Sequence, residues 1–316
     1  MSAIPTSFAA PAALAEVLQQ LERWVSDGWL RELDRAFAAF LAQEAGDADP
    51  LLILAAALAS HQVGRGHACL DLQASLDDAA AALALPPEHA PRAAPGDALA
   101  PAALLGAVDL ARWQAVLRHP RLVDDGAGTA PLVLAGHRLY LRRYWKYEQS
   151  VRRAIDARLA APVMSAADDA PLCEALDALF PRASDEAGTD CQRVACALAA
   201  RHGFGIVTGG PGTGKTTTVV KLLAVLQHLT LGGGGRRLRI RLAAPTGKAA
   251  ARLGDSTAGA VASLPLERLP GSEALRAAIP REVTSVHRLV GARPDTRRVR
   301  HDADHPLPPG VLVVDG

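Results

Sequence analysis

Apolar residues recur at helical spacing through the first quarter of the chain. Leu14, Leu18, Leu21 and Val25 mark one stripe, and Leu33, Phe37 and Leu41 mark a second. A third apolar segment runs from Leu51 to His61 and stops near Gly64, so residues 11–85 are expected to be helical. Residues 86–103 are rich in Pro and Ala and predict a loop. Leu132–Leu134 and Leu139–Leu141, joined through Ala135-Gly136, predict a β-hairpin, and an arginine-rich helix through Arg152, Arg153 and Arg158 should follow. Residues 182–189 suit a joint, with a new helix beginning near Asp190. Phe204 to Thr208, bounded by Gly203 and Gly209, predicts a buried parallel strand. Val219, Val220, Leu222, Leu223 and Leu226 then form one face of a helix, and Gly232–Gly235 predicts a flexible loop. Arg237 to Ala244 alternates before turning fully apolar, as a strand entering a sheet does, and Val311–Val314 predicts another strand. The organisation expected is a helical domain over 1–120, a hairpin, basic helix and linker over 121–189, and an α/β domain over 190–316.

Between the predicted strand and the helix that follows it lies Gly-Gly-Pro-Gly-Thr-Gly-Lys-Thr-Thr, residues 209–217. Gly209, Gly210, Gly212 and Gly214, with Pro211 and Thr213 between them, let the backbone fold tightly and turn its N–H groups toward a triphosphate. Lys215 is placed to reach the β- and γ-phosphates and the Thr216 hydroxyl to coordinate Mg²⁺, with Thr217 completing the loop. A helix that starts here offers its dipole and unbonded N–H groups to the same anion. ATP and Mg²⁺ are therefore the expected cofactors. The chain otherwise prefers arginine: its four lysines are Lys146, Lys215, Lys221 and Lys248, and two of them fall in motif positions.

A second strand–loop–helix junction reads Pro245-Thr246-Gly247-Lys248, a hydroxyl, a glycine and a cation suited to a DNA phosphate, or else a capped helix with solvated charge. Thr284-Ser-Val-His287 is weaker alone, since a lone His beside Arg is more often structural. Asp315 closes the last apolar strand, where a carboxylate holds Mg²⁺ through water. Bulk properties narrow little. With 316 residues and 49% hydrophobic positions there is room for two cores, and a formal charge of +1 confines any DNA surface to local patches. Four cysteines without Cys-x-x-Cys spacing, no visible signal peptide and no apolar run long enough for a membrane point to a cytoplasmic protein.

Taken in order, Gly209–Thr217, Ala244–Leu253, Thr284–Leu289 and Val311–Asp315 resemble motifs I, Ia, Ic and the start of motif II of superfamily 1 helicases. Among these the wording is most similar to the RecD-type helicases, the alpha subunits of exodeoxyribonuclease V. Ala55–His61, Gly66–Leu70 and Leu139–Arg142 resemble the accessory region of that family. The resemblance implies an α/β fold, with a RecA-like P-loop domain, C-terminally incomplete, behind a mainly α-helical accessory domain. It implies ATP-driven 5′ to 3′ translocation on single-stranded DNA from duplex ends, in a heterotrimer with beta and gamma subunits that repairs double-strand breaks. It assigns Gln192 to the adenine base, and Pro245, Thr246, Gly247, Lys248, Thr284 and His287 to DNA. Lys215 and Asp315 carry the catalytic roles, with Thr216 and Asp315 at the metal.

In that family the acid of motif II is followed by a Glu that activates the attacking water, whereas Gly316 stands here and the sequence ends. The expectation is a fragment of a longer helicase subunit, and the alternative is a truncated, hydrolysis-deficient ATP-binding and docking module of the same complex. An AAA-type ATPase gives no reason for Thr246-Gly247-Lys248. Nuclease chemistry is not expected, because Tyr144, Thr213, Val219 and Thr246 precede the four lysines by two and supply no acid. His61, His67 and Cys69 lack a fourth ligand for zinc. Tyr140, Tyr144, Trp145 and Tyr147 crowd among Arg142, Arg143 and Lys146, which suits either a packed domain junction or stacking with nucleic acid.

Overall fold

The computed structural model describes residues 11–88, 99–160, 169–181, 189–210, 212–296, 298–308 and 310–315. Pro211, Gly316 and most of the expected joint at 182–189 therefore lie outside the described residues. The chain divides into two units, one ending at Arg153 and one beginning at Ala154.

In the first unit, α1 (Pro11–Ser26), α2 (Glu32–Glu44) and α3 (Pro50–Gly64) follow the three apolar stripes. Helix α3 is buried from Pro50 through Gln62, which explains why its apolar residues cover the whole circumference and not one face. Asp49 caps it by accepting the Leu51 amide at 2.8 Å, and Pro50 takes a first-turn position where its missing N–H costs nothing. β1 (Leu70–Asp71) leads into the short helices α4 (Leu72–Asp77), α5 (Ala79–Leu83), α6 (Pro101–Leu105) and α7 (Leu110–Val116). Pro101 thus opens a helix at a position expected to be loop. The predicted hairpin forms from β3 (Leu132–Ala135) and β4 (Arg138–Leu141), turning at Gly136 with φ 61°. With β1 and β2 (Val123–Asp124) it makes a four-stranded sheet in the order β1-β4-β3-β2. The arginine-rich helix α8 (Arg142–Ala160) leaves from β4. Arg142 fixes this exit, donating to the Ala130 carbonyl at 2.8 Å and the Gly126 carbonyl at 3.1 Å while pairing with Asp124.

The first unit buries several polar side chains, Asp34 and His61 among them. Asp34 is fully buried and accepts from the Arg31 amide (3.0 Å), from Arg31 Nε (3.1 Å) and Nη2 (2.6 Å), and from Ser60 Oγ (2.7 Å). A buried carboxylate is tolerated only when its lone pairs are filled in this way. His61, one of the three residues weighed for zinc, bonds the Leu83 carbonyl through Nε2 at 3.0 Å. Burial pushes its imidazole below the ordinary range, against the opposing pull of that carbonyl.

The second unit carries α9 (Asp169–Leu179), α10 (Cys191–Arg201), α11 (Lys215–Gly232), α12 (Gly247–Ala262), α13 (Ser272–Ala278) and α14 (Val286–Leu289). Its sheet is parallel throughout, with β5 (Ile240–Ala244) between β6 (Val283–Ser285) and β7 (Val311–Val314). Ile240 and Leu242 share a core with Val220 and Leu223 of α11 and Val261 of α12. The α/β class expected from the sequence is the class observed. Phe204–Thr208 departs from expectation, because it is not a strand and Ile206 is 75% exposed. A strand exists only by pairing, and no strand among the described residues pairs with this segment.

All four tryptophans, Trp24, Trp29, Trp113 and Trp145, belong to the first unit, so tryptophan fluorescence reports its unfolding alone. Asp34→Ala removes the acceptor of four donors and should lower the first unit's stability by about 3 kcal/mol, seen as an earlier denaturant midpoint. The sign for His61 follows from its depressed pKa: the unfolded chain binds the proton more readily, so stability present above the ordinary value of about 6.5 falls as pH drops through it. The fluorescence-detected Tm should therefore fall between about pH 7.5 and 5.5, and His61→Gln should flatten that fall.

Candidate functional site

The glycine-rich loop opens α11, whose first-turn N–H groups have no partner within the helix. Gly214 stands at the N-cap with φ 79°, and Gly212 has φ 76°, a left-handed backbone that a side chain disfavours. No side chain caps this helix, and no acid lies in its first turn. The remaining loop contacts are tight. A Cβ at Gly209 would stand 2.6 Å from Thr213 Oγ1, the hydroxyl that donates to the Gly210 carbonyl at 2.9 Å. Lys215 Nζ folds back on the same loop, donating to the carbonyls of Gly209 (2.5 Å) and Gly210 (2.7 Å). Thr216 and Thr217 follow in the first turn, half-buried. Thr218, which sequence reading passed over, closes that turn by donating its amide and hydroxyl to the Gly214 carbonyl.

Gln192 is the residue whose placement sequence spacing alone could not give. Asp190 caps α10 by accepting the amides of Gln192 (2.9 Å) and Arg193 (3.0 Å), which sets the first turn. From there the Gln192 side chain donates to the Thr213 carbonyl at 3.0 Å, and a Cβ at Gly214 would lie 2.7 Å from its Nε2. Gln192 and the phosphate loop are thus one contact set.

The other candidates gather at the carboxyl ends of the parallel strands. β5 ends at Ala244 and leads into Pro245 and Thr246, whose hydroxyl accepts the Ala249 amide at 3.2 Å and caps α12. Pro245, Thr246, Gly247 and Lys248 are all exposed. β6 ends at Ser285, in register with Ala244, and Ser285 caps the short α14 that carries exposed His287. The Thr284 Oγ1 atom, by contrast, is buried without a hydrogen-bond partner, so the side chain this motif presents is His287. Asp315 follows β7, exposed, with its amide donating to the Ala243 carbonyl at 3.0 Å.

One buried side chain ties α11 to the opposite, amino end of β5. Gln227, fully buried, donates to the Leu238 carbonyl at 3.0 Å and accepts the Leu238 amide at 3.1 Å. From Gln227 back to Lys215 the helix rises about 18 Å. Helix α11 and β5 are consecutive, joined by a short connection and packed in one core, so they run in opposite chain senses and the phosphate loop lies toward the carboxyl ends of the strands. In open α/β sheets that edge is where ligands bind.

Comparison with known proteins gives the same two-part division. Residues 26–140 match the family described as RecBCD enzyme subunit RecD, N-terminal domain, and residues 192–316 match one described as AAA domain. RecBCD enzyme subunit RecD of Haemophilus influenzae is 35% identical over 268 residues, covering 84% of this chain and 40% of that protein. The subunit of the same name from Mycolicibacterium smegmatis is 41% identical over 208 residues, 64% of this chain and 33% of that protein. At lower identity, 29% over 178 residues, the ATP-dependent RecD2 DNA helicase of Deinococcus radiodurans matches 56% of this chain and 20% of its own length. The chain spans 40% or less of the length of each of these relatives. Over the matched residues this chain is similar to RecD subunits, with the RecD N-terminal domain match ahead of the AAA domain match.

Proposed function

We propose that this chain acts as part of an ATP-dependent 5′ to 3′ DNA helicase subunit of an exodeoxyribonuclease V complex, working in double-strand break repair and recombination. The observation that carries the reading is the start of α11, where uncapped amides, left-handed glycines and the Lys215 ammonium converge on one small volume. A triphosphate offers its oxygens to those amides and to the ammonium, which exchanges the carbonyls of Gly209 and Gly210 for the β- and γ-phosphates. Gln192, already hydrogen-bonded to Thr213, couples the adenine side of the pocket to the loop. The names of the relatives, a RecBCD subunit and a DNA helicase, favour a working motor over a hydrolysis-deficient docking module.

A hydroxyl and a carboxylate are hard oxygen donors, the set that Mg²⁺ prefers. Thr216 and Asp315 would hold it, the carboxylate through water, and the ion would supply positive charge against the phosphoryl oxygens. Thr246, Gly247 and Lys248, exposed at the start of α12, hold a backbone phosphate of single-stranded DNA, and His287 lies at the same strand-end edge. Pro245 sets the turn ahead of them. The partners proposed are the beta and gamma subunits, with the RecD N-terminal domain docking on the gamma subunit.

Binding of a fluorescent ATP analogue with Mg²⁺ tests the reading directly. Lys215→Ala removes a charge-assisted contact worth about 1.5–3 kcal/mol, so affinity should fall roughly 10- to 150-fold. Unchanged affinity would remove the loop from the function. In the complete complex with beta and gamma subunits, the same substitution should abolish this subunit's share of DNA-stimulated ATP hydrolysis while leaving assembly intact.

A further inference from the structure

Helix α8 has no buried residue along its whole length and carries six basic side chains against two acidic ones. Its first turns stand beside α2 and the hairpin within the first unit, and there the surface is concave. A cavity of about 430 Å³ is lined by Phe37, Leu141, Arg143, Lys146 and Tyr147 among others, within the size range of small-ligand pockets, about 300–1,000 Å³. Tyr147 is 53% exposed, and the Arg143 guanidinium lies 5.4 Å above its ring centre while Nε donates to the phenol oxygen at 2.8 Å. Tyr144 meets the Tyr147 ring edge-on, with centroids 6.1 Å apart. The ring is therefore held from two sides with part of its surface still open. Among the described residues no carboxylate pairs with Arg143 or Lys146, whereas Arg142 is consumed by Asp124 and by the carbonyls of Ala130 and Gly126.

We infer that this face of the first unit, centred on Tyr147 with Arg143 and Lys146, is a second binding site for single-stranded DNA, separate from the strand-end edge that carries Lys248. A base stacks in the cavity against the Tyr147 ring and the flanking phosphates take the two uncompensated cations, the combination by which sequence-tolerant single-strand sites work. A protein partner fits less well. The buried centres of protein interfaces are depleted in lysine, and an aliphatic or aromatic anchor entering this cavity would leave both cations without counter-charge. The inference rests on DNA being the substrate of the subunit.

Fluorescence anisotropy of a labelled oligothymidylate, titrated with the whole chain without nucleotide, tests it. Tyr147→Ala should weaken binding about 5- to 150-fold, and Tyr147→Phe, which keeps the stacking face, should bind nearly as the parent does. Lys146→Gln should make the salt dependence of log affinity shallower by about 0.7. Circular dichroism and ATP-analogue binding verify that each variant is folded. Normal affinity in Tyr147→Ala and an unaltered salt slope in Lys146→Gln would overturn the inference. If only Lys248→Ala weakened binding, the face would fall and the helicase reading would stand; if the parent bound no oligonucleotide, both would fall. Variants that kept full DNA affinity but lost the beta or gamma subunit would overturn the inference by showing a protein-docking face.

Discussion

The first four N–H groups of an α-helix find no acceptor inside it, and how each helix meets that constraint organises this protein. Several helices close the gap with a neighbouring side chain, among them Asp49 for α3, Asp109 for α7, Asp190 for α10 and Thr246 for α12. Helix α11 does not, nor do the short α6 and α13, but α11 alone of these three follows the glycine-rich loop. Its N-cap is Gly214, in a left-handed backbone that brings no oxygen to the amides. The loop satisfies its own carbonyls with the Thr213 hydroxyl and the Lys215 ammonium and leaves donors in excess. An excess of donors at the positive end of a helix dipole is an anion site, and a triphosphate is the anion that also exploits a mobile ammonium.

That arrangement depends on the packing behind it. Gln227 spends a buried amide on the backbone of Leu238, locking α11 to the start of β5 and so setting where the other end of the helix falls. Gln192 spends its amide on Thr213, locking α10 to the loop itself. Both contacts are neutral hydrogen bonds of modest net worth, about 1 kcal/mol each. Their consequence is positional: they bring loop and strand ends to one level. The first unit shows the same logic in its own core, where Asp34 joins Arg31 ahead of α2 to Ser60 of α3.

Much of this was legible before any coordinates. The helical stripes of α1 to α3, the hairpin at Gly136, the helix beginning after Asp190 and the glycine loop are local patterns, written in spacing and in residues with special backbone freedom. The failures share a cause. Phe204–Thr208 has strand composition, yet pairing is a property of two segments, and a single run of apolar residues cannot report whether its partner is at hand. The Arg31–Asp34–Ser60 network was missed because an acid beside an arginine on a helix normally signals a solvated surface. Only the tertiary burial of Asp34 distinguishes it.

Amide hydrogen exchange with and without ATP and Mg²⁺ tests the central claim most directly, because it reads the very donors on which the account rests. Nucleotide should slow exchange at the amides of Gly212 to Thr217 selectively, with a smaller effect at Gln192, and Lys215→Ala should remove that protection. Protection that appeared elsewhere while these amides exchanged at their nucleotide-free rate would contradict the account.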